Sequence, residues 1–145
     1  MTELLIQILS TFGYPVRLQG SMAANEIYPD SFFTFWNNNS SDGSHYDNGA
    51  IFYVWNFDVN FYSTDPALIY SKLEEARIAL KNAGFIISGR GYSVASDEPT
   101  HTGRGLNALI IEHEPLPIND EDDPGDEENP GDEENPVDQN QNEEE

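Results

Sequence analysis

The chain of 145 residues contains no cysteine. Disulfide bonds, thiolate catalysis and cysteine-ligated zinc are therefore excluded. Long hydrophobic runs are also missing, since no apolar stretch approaches the roughly 20 residues that span a bilayer. The first residues lack the basic region of a signal peptide. We therefore expect a protein with no membrane segment.

Basic residues are scarce, with 6 Lys and Arg against 27 Asp and Glu, and the formal net charge is −21. Of the acidic residues, 14 lie between Asn119 and Glu145, a stretch that contains no Lys or Arg. The first 118 residues keep 13 acidic and 6 basic residues, so their net charge is only −7. Because an acidic surface repels phosphate, nucleic-acid binding is disfavoured.

The acidic C-terminal stretch has almost nothing to bury, since Val137 is the only apolar side chain after Asn119. It repeats Pro-Gly-Asp-Glu-Glu twice, after Asp123 and after Asn129. Proline, glycine and like charge oppose both a helix and collapse. The repeat does not have the spacing of a calcium-binding EF-hand loop, so no specific metal site is expected. We predict an α+β domain at residues 1–117 and a disordered acidic tail at 118–145.

Two segments have helical periodicity. The first contains Leu4, Leu5, Ile8, Leu9 and Phe12, and Thr2 is a candidate cap. The second opens with Asp65-Pro66, a capping residue followed by a proline suited to the first helical position. The apolar stripe of this second helix contains Ile69, Leu73, Ala76, Leu80 and Ala83. Gly84 follows the stripe directly and is predicted to be the C-terminal cap.

The other apolar segments predict strands. Ala50 to Tyr62 alternates most regularly, with Trp55 on a core face shared with Leu73 of the second helix. We also predict strands at residues 16–19, 31–36, 85–87, 92–95 and 106–112. The polar residues 37–44 and 96–105 are predicted as loops. Antiparallel strands with two helices packed on one face satisfy this order, which gives an α+β fold with a mostly antiparallel sheet.

The loop at 96–105 invites a chemical interpretation because His101 lies near Asp97 and Glu98. An acid–base or metal role is conceivable. The alternative is a loop whose polar side chains bind its own backbone. No nucleophile elbow, metalloprotease motif or phosphate loop is present. We therefore expect no catalytic residue, no cofactor and no enzyme activity.

Aromatic residues are dense between residues 28 and 62. With both helices on one face of the sheet, some of Phe33, Phe35, Phe52 and Tyr62 are expected on the other face. Exposed aromatics in a row are typical of protein interfaces. The alternative is that the loop at 37–49 or the N-terminal helix covers them.

Five short runs form a recognisable set: Asn82 to Phe85, Gly89 to Gly91, Ser96 to Gly103, Ser31 to Trp36 and Tyr62 to Pro66. Together they resemble the tail terminator (tail completion) proteins of long-tailed bacteriophages and prophages. The resemblance covers about residues 2–114 and does not include the acidic tail.

The resemblance implies a structural protein of the virion tail, assembled in the host cytoplasm. Such proteins form a ring, in this case expected to be a homohexamer, that caps the major tail tube protein and presents a surface to the head connector protein. DNA passes through the lumen without specific binding. The family has no catalytic residues. The residues that we expect at the assembly interface are Ser96, Asp97, Glu98, His101, Arg104, Phe33 and Phe35.

Other functions remain open. A neighbouring head–tail joining (head completion) protein, or another acidic protein-binding module, has the same general features. An acidic inhibitor that mimics DNA would need carboxylates arrayed on a folded face, whereas half of the acid here lies in the tail. An enzyme that uses His101, Asp97 and Glu98 is the third possibility.

Overall fold

The structure, a computed structural model, describes residues 1–47 and 49–115. It contains two helices, α1 (Thr2–Ser10) and α2 (Pro66–Asn82). The strands are β1 (Val16–Leu18), β2 (Ser31–Asp42), β3 (His45–Tyr46), β4 (Gly49–Ala50), β5 (Phe52–Ser63), β6 (Tyr92–Val94) and β7 (Thr102–His113). The predicted α+β class, with a mostly antiparallel sheet and two helices, is confirmed.

Five strands form one sheet in the order β1-β2-β5-β7-β6. The strand β1 runs parallel to β2, and the other pairs are antiparallel. β5 lies at the centre and pairs along its whole length with β2 and β7, for example Phe61 with Phe33 and with Arg104. The short strands β3 and β4 form a separate ladder at the tip of the β2–β5 hairpin.

The ends of α2 are set by its sequence. Asp65 caps the N-terminus, where its Oδ1 accepts a hydrogen bond of 2.9 Å from the Ala67 N–H. At the other end Gly84 adopts φ +99°, and the N–H groups of Gly84 and Phe85 donate to the carbonyls of Lys81 and Leu80. These two bonds form the Schellman motif, which needs a residue with positive φ at this position. The predicted cap and the predicted stop are both confirmed.

Both helices pack on the face of the sheet that carries Phe57, Val59 and Phe61, here named the helix face. Leu5 and Leu9 of α1 and Leu73 of α2 are fully or almost fully buried there. Trp55 is partly buried against the same cluster, and its ring stacks on Phe57 with centroids 6.0 Å apart. The prediction that Trp55 and Leu73 share one core is therefore confirmed.

Several local predictions were wrong. Residues 37–42 are not a loop but the second half of β2, because they pair with β5 across a bulge between Asn37 and Asn39. Thr102–Gly105 belong to β7, and the expected strand at 85–87 is a single bridge between Ile86 and Leu109. Thr2 does not cap α1, which begins after Met1 without a side-chain cap.

The opposite side of the sheet, here named the far face, carries Tyr62 and Asp58 of β5. On β7, Gly103 pairs with Tyr62 and Gly105 pairs with Asn60, and a Cβ atom at Gly103 would lie 2.7 Å from the Tyr62 ring. Glycine there lets the tyrosine lie flat across the neighbouring strand. The domain boundary predicted after residue 117 and the acidic tail lie outside the described residues. Neither helix in the described part of the chain has the length and apolar character that a bilayer crossing requires.

Candidate functional site

The two phenylalanines predicted at the assembly interface are core residues. Phe33 is 0% exposed and Phe35 is 6% exposed, so the expectation that they lie on an open face was wrong. The register explains their position, because Phe33 pairs with Phe61 and Phe35 with Val59 on the helix face. Their neighbour Phe32 takes the far face instead, where it pairs with Tyr62.

Arg104 also lies apart from the rest of the predicted set. Its guanidinium carbon is 4.7 Å from the centre of the Tyr70 ring on α2, and its Nη2 donates to the Gly91 carbonyl at 3.1 Å. Arg104 pairs with Phe61 and therefore points to the helix face. It ties β7 to the helix layer rather than facing the loop at 96–101.

The remaining four predicted residues, Ser96, Asp97, Glu98 and His101, do lie in one loop, which joins β6 to β7. His101 is buried, and both of its ring nitrogens are bonded. Nε2 lies 2.8 Å from the Pro29 carbonyl and Nδ1 lies 2.9 Å from the Thr100 hydroxyl. Because a carbonyl oxygen only accepts, Nε2 carries the proton and donates. His101 is thus fixed in one tautomer, with no free nitrogen for acid–base work in this arrangement.

Asp97 ties the same loop to the segment before β2. The Tyr28 hydroxyl lies 3.0 and 3.1 Å from the two carboxylate oxygens of Asp97. This hydrogen bond raises the pKa of Tyr28, because it and the nearby negative charge disfavour a phenolate. Within the loop, the Glu98 N–H donates to the Ser96 hydroxyl at 3.2 Å. Only the Ser96 bond matches the interpretation in which the loop's polar groups hold its own backbone, because Asp97 and His101 bind Tyr28 and Pro29 of another segment.

Four rings fill the space between this loop and the sheet. Phe32 stacks on Tyr62 at 5.4 Å, and both Tyr28 and His101 contact Phe32 edge-on, at 5.6 and 6.0 Å. Burial raises the pKa of Tyr62. The cover differs from ring to ring. Phe33 lies in one buried cluster with Leu5 and Leu9 of α1, and the Phe52 ring lies against Gly43 of the loop at 37–49, as the two alternatives predicted. Phe32 and Tyr62 are covered instead by the segment at 20–30 and the loop at 96–101.

A groove of about 390 Å³ opens beside this aromatic cluster. Phe32, Thr34 and Tyr62 form its floor, and it is here named the far-face groove. The Thr34 hydroxyl donates to Gln19 Oε1 at 2.7 Å on one side, and Ser96 and Asp97 line the other. Among the described residues, no three His, Asp or Glu side chains are grouped to hold a metal ion. Aromatic and polar groups at a shallow groove suit contact with another protein.

The middle of the far face is polar and is organised around Asn107. Its Nδ2 donates to Asn56 Oδ1 at 2.6 Å and to Asp58 Oδ1 at 3.0 Å. The Tyr92 hydroxyl reaches the same carboxylate at 3.4 Å. These polar side chains, here named the polar rungs, are bonded to one another across the strands.

Beyond these rungs the far face becomes apolar again, which the sequence analysis missed. Ile111 is 41% exposed and lies beside Val54, while Ile86 is 57% exposed and lies beside Leu109. These four residues are here named the apolar patch. The alternation of the sequence could have predicted the exposure of Ile86, because the residues on either side of it, Phe85 and Ile87, are buried. A residue between two core positions of an extended segment points away from the core.

No protein-family model matches the chain, and no curated protein matches it.

Proposed function

We propose that this chain is a structural protein of a phage tail, which forms a ring that caps the tail tube and joins it to the head connector. The observation that carries the proposal is the far face, which offers two different surfaces on one subunit. The far-face groove lies at one end and the apolar patch at the other, separated by the polar rungs. A ring needs such a pair, because a head-to-tail interface joins two unlike patches.

The charge is compatible with this role. The first 118 residues carry a net charge of −7 and the whole chain −21. Like charges release no counterions, so DNA gains nothing by adhering to such a ring. The same charge opposes self-association, since six subunits crowd it into one annulus. We therefore expect the isolated subunits to associate weakly with one another. The end of the tail tube would then act as the template on which they assemble into a ring.

The test is sedimentation velocity of the full chain and of a chain ending at residue 117, over a series of salt concentrations. We expect mostly monomer at low salt, with association rising as salt is added or the tail removed. Screening reduces repulsion beyond about 8 Å at physiological ionic strength. A stable hexamer at low salt would refute weak association. Monomer under every condition, including with purified tail tubes, would remove the ring proposal.

A pair of variants tests the surface. Ile111→Asp places a charge in the apolar patch, and we expect it to weaken association by about tenfold or more. Ile78→Asp is the matched control, because Ile78 is 48% exposed but lies on α2. If both variants associate like the parent chain, the apolar patch is not an interface. Binding to purified connectors but not to tail tubes would favour a head–tail joining protein.

A further inference from the structure

The outer edge of β2 is unpaired over its second half. The strand β1 covers only Phe33–Phe35 of β2, and its last bond joins the Gln19 N–H to the Phe35 carbonyl at 2.9 Å. From there to Asp42 no other strand of the described chain pairs with that edge. The seven residues at 36–42 are all exposed along this edge.

The direction of the backbone groups follows from their neighbours. Phe33 and Phe35 bond outward to the β1 side, while the Gly43 N–H donates inward to Phe52. Because alternate residues of a strand point in opposite directions, Ser40 and Asp42 present their N–H and C=O groups outward. Natural edges are protected by lysine or proline, and residues 37–42 contain neither. One bulge interrupts the edge, between Asn37 and Asn39, and residues 39–42 beyond it are regular.

An acidic, aromatic cleft borders this edge on the helix face, beyond the ends of the helices. Asp42, Tyr53 and Glu112 form one rung across three strands, and Trp55 lies in the rung beside it. The Trp55 Nε1 donates to Glu112 Oε2 at 2.7 Å. The cleft has a volume of about 380 Å³, and Ser40, Asp42 and Glu114 are among its lining residues. It is here named the edge cleft.

The negative charge of the edge cleft indicates which chemical groups of a partner would bind there. No Lys or Arg occurs between Arg17 and Lys72, or after Arg104. Of the described residues, only His45 lies near enough to pair with Asp42, with Nε2 at 3.2 Å from Oδ2, and Glu112 and Glu114 have no basic side chain within 4 Å. Carboxylates beside aromatic rings attract ammonium and guanidinium groups through both charge and the ring faces.

We infer that the free edge of β2 binds an extended segment of a partner protein that carries Lys or Arg at alternate positions. The segment's backbone pairs with Ser40 and Asp42, which adds a sixth strand to the sheet. Every second side chain then lies on the helix face, beside Asp42 and over the edge cleft. Cross-strand neighbours on one face are about 5 Å apart, which places a cation within reach of Asp42.

A second copy of this chain does not fit. Among the described strands, the basic residues are Arg17, which lies 3.4 Å from Glu26, and Arg104, which packs on the Tyr70 ring, so both are already engaged. Its net charge is also negative. Nucleic acid is repelled for the same reason. The inference does not depend on ring formation, because it concerns a single subunit and a separate partner.

The test uses a synthetic eight-residue peptide of alternating Lys and Val, with Glu and Val as the reference peptide. Titration calorimetry of the full chain gives the affinity, and amide hydrogen exchange gives the site. We expect the lysine peptide alone to bind, and the Ser40 and Asp42 amides to become protected. Binding of both peptides, or protection at Ile111 and His113 on the β7 edge instead, would overturn the inference.

Variants separate backbone pairing from simple charge attraction. Ser40→Pro removes an outward N–H that no other described residue uses, and we expect about tenfold weaker binding. Ser40→Ala keeps that N–H and should bind like the parent chain. Asp42→Asn should weaken binding severalfold and flatten its salt dependence.

A second arm keeps the inference testable if Ser40→Pro unfolds, which its thermal melt would show. A lysine peptide N-methylated at every second residue retains its charge but cannot donate along one edge. We expect this peptide to bind about tenfold more weakly than its unmodified form. Equal binding of the two peptides would mean that charge alone holds them, and the strand-pairing inference would fail.

Discussion

His101 joins the loop at 96–101 to the segment before β2, because its Nε2 donates to the Pro29 carbonyl, while its Nδ1 bonds the adjacent Thr100 hydroxyl. His101→Ala leaves the carbonyl of the half-buried Pro29 without its donor and removes a buried ring that contacts Phe32. We expect a loss of about 1–3 kcal/mol in unfolding free energy, because both a partly buried hydrogen bond and buried ring contacts are lost. Urea unfolding followed by tryptophan fluorescence measures it.

The control for this prediction is Thr100→Ala, because Thr100 is exposed and water replaces its hydrogen bond to His101. We expect this variant to lose less stability. A loss below about 0.5 kcal/mol for His101→Ala would show that the side chain does not hold the loop. We still expect His101→Ala to fold, and impaired assembly would follow from the loosened loop rather than from a lost contact.

The contribution of Glu74 to the stability of the folded state depends on pH, and its neighbour Arg77 sets the sign of this dependence. Arg77 donates two hydrogen bonds of 2.7 Å to the Glu74 carboxylate and lowers its pKa. The pair therefore stabilises the folded state above the ordinary carboxyl pKa, and this contribution is lost as pH falls through the lowered value. We expect Arg77→Met to raise the Glu74 pKa, measured by NMR titration of its side-chain carboxyl carbon.

Arg90 supplies the control for Glu74, because its guanidinium lies 3.9 Å from the same carboxylate without a hydrogen bond. Arg90→Met should raise the Glu74 pKa less than Arg77→Met does. Equal shifts in the two variants would mean that distant charge, not the hydrogen-bonded pair, sets this pKa.

The face of the sheet on which each aromatic side chain lies could not be predicted from the sequence. The run from Phe32 to Trp36 is apolar on both faces, so its alternation does not say which side meets the helices. The face of β2 that meets the helices is set by the register of its pairing with β5, and a local sequence pattern does not reveal that register. His101 is similar, because its partner Pro29 is 72 residues away.

Elements with strong end signals were predictable. The Asp65-Pro66 start and the Gly84 stop of α2 act within a few residues, and so the sequence alone was sufficient. The second half of β2 was not predictable, because Asn, Ser and Asp are poor strand formers. Pairing with β5 outweighs that preference. The surfaces of the candidate site were found only in part, since the apolar patch joins residues from three separate segments.

Gly84 provides a test at the end of α2. Gly84→Ala puts a Cβ on a residue with φ +99°, and we expect a loss of about 1–2 kcal/mol in unfolding free energy. No neighbouring atom lies within 4 Å of that Cβ, so the cost is conformational rather than a clash. Thermal unfolding by circular dichroism measures it.

Gly84→Asn is the matched variant, because asparagine tolerates left-handed geometry better than alanine. We expect it to recover part of the stability that Gly84→Ala loses. If Gly84→Ala melts with the parent chain, the left-handed cap does not contribute to stability.

At the scale of the molecule, the fold class followed from the order of elements, whereas the cover of the far face did not. The segment at 20–30 and the loop at 96–101 have no periodicity that assigns them to a surface. Their contacts arise only when β1, β2 and β7 are assembled. The sequence therefore predicted that helices pack on one face of the sheet, but it did not predict which segments cover the far face.

The acidic tail carries 14 of the 27 acidic residues of the chain between Asn119 and Glu145. We expect a chain ending at residue 117 to melt within about one or two degrees of the full chain, because the removed residues have almost nothing to bury. Circular dichroism melts at matched ionic strength provide the comparison. A large fall in melting temperature would place stabilising contacts in the removed residues.

The central position of β5 also has a kinetic consequence. Its pairing with β2 grows from a short connection, since Asp42 already faces Tyr53, whereas Ser63 and Thr102 of the β5–β7 pair lie 39 residues apart. Closing the longer segment costs more chain entropy before any contact forms. We expect the transition state for folding to contain the β2–β5 hairpin and little of β7. In stopped-flow experiments, Phe57→Leu should then slow folding, whereas Leu106→Ala should mainly accelerate unfolding. Slower folding in Leu106→Ala would mean that β7 docks before the rate-limiting step.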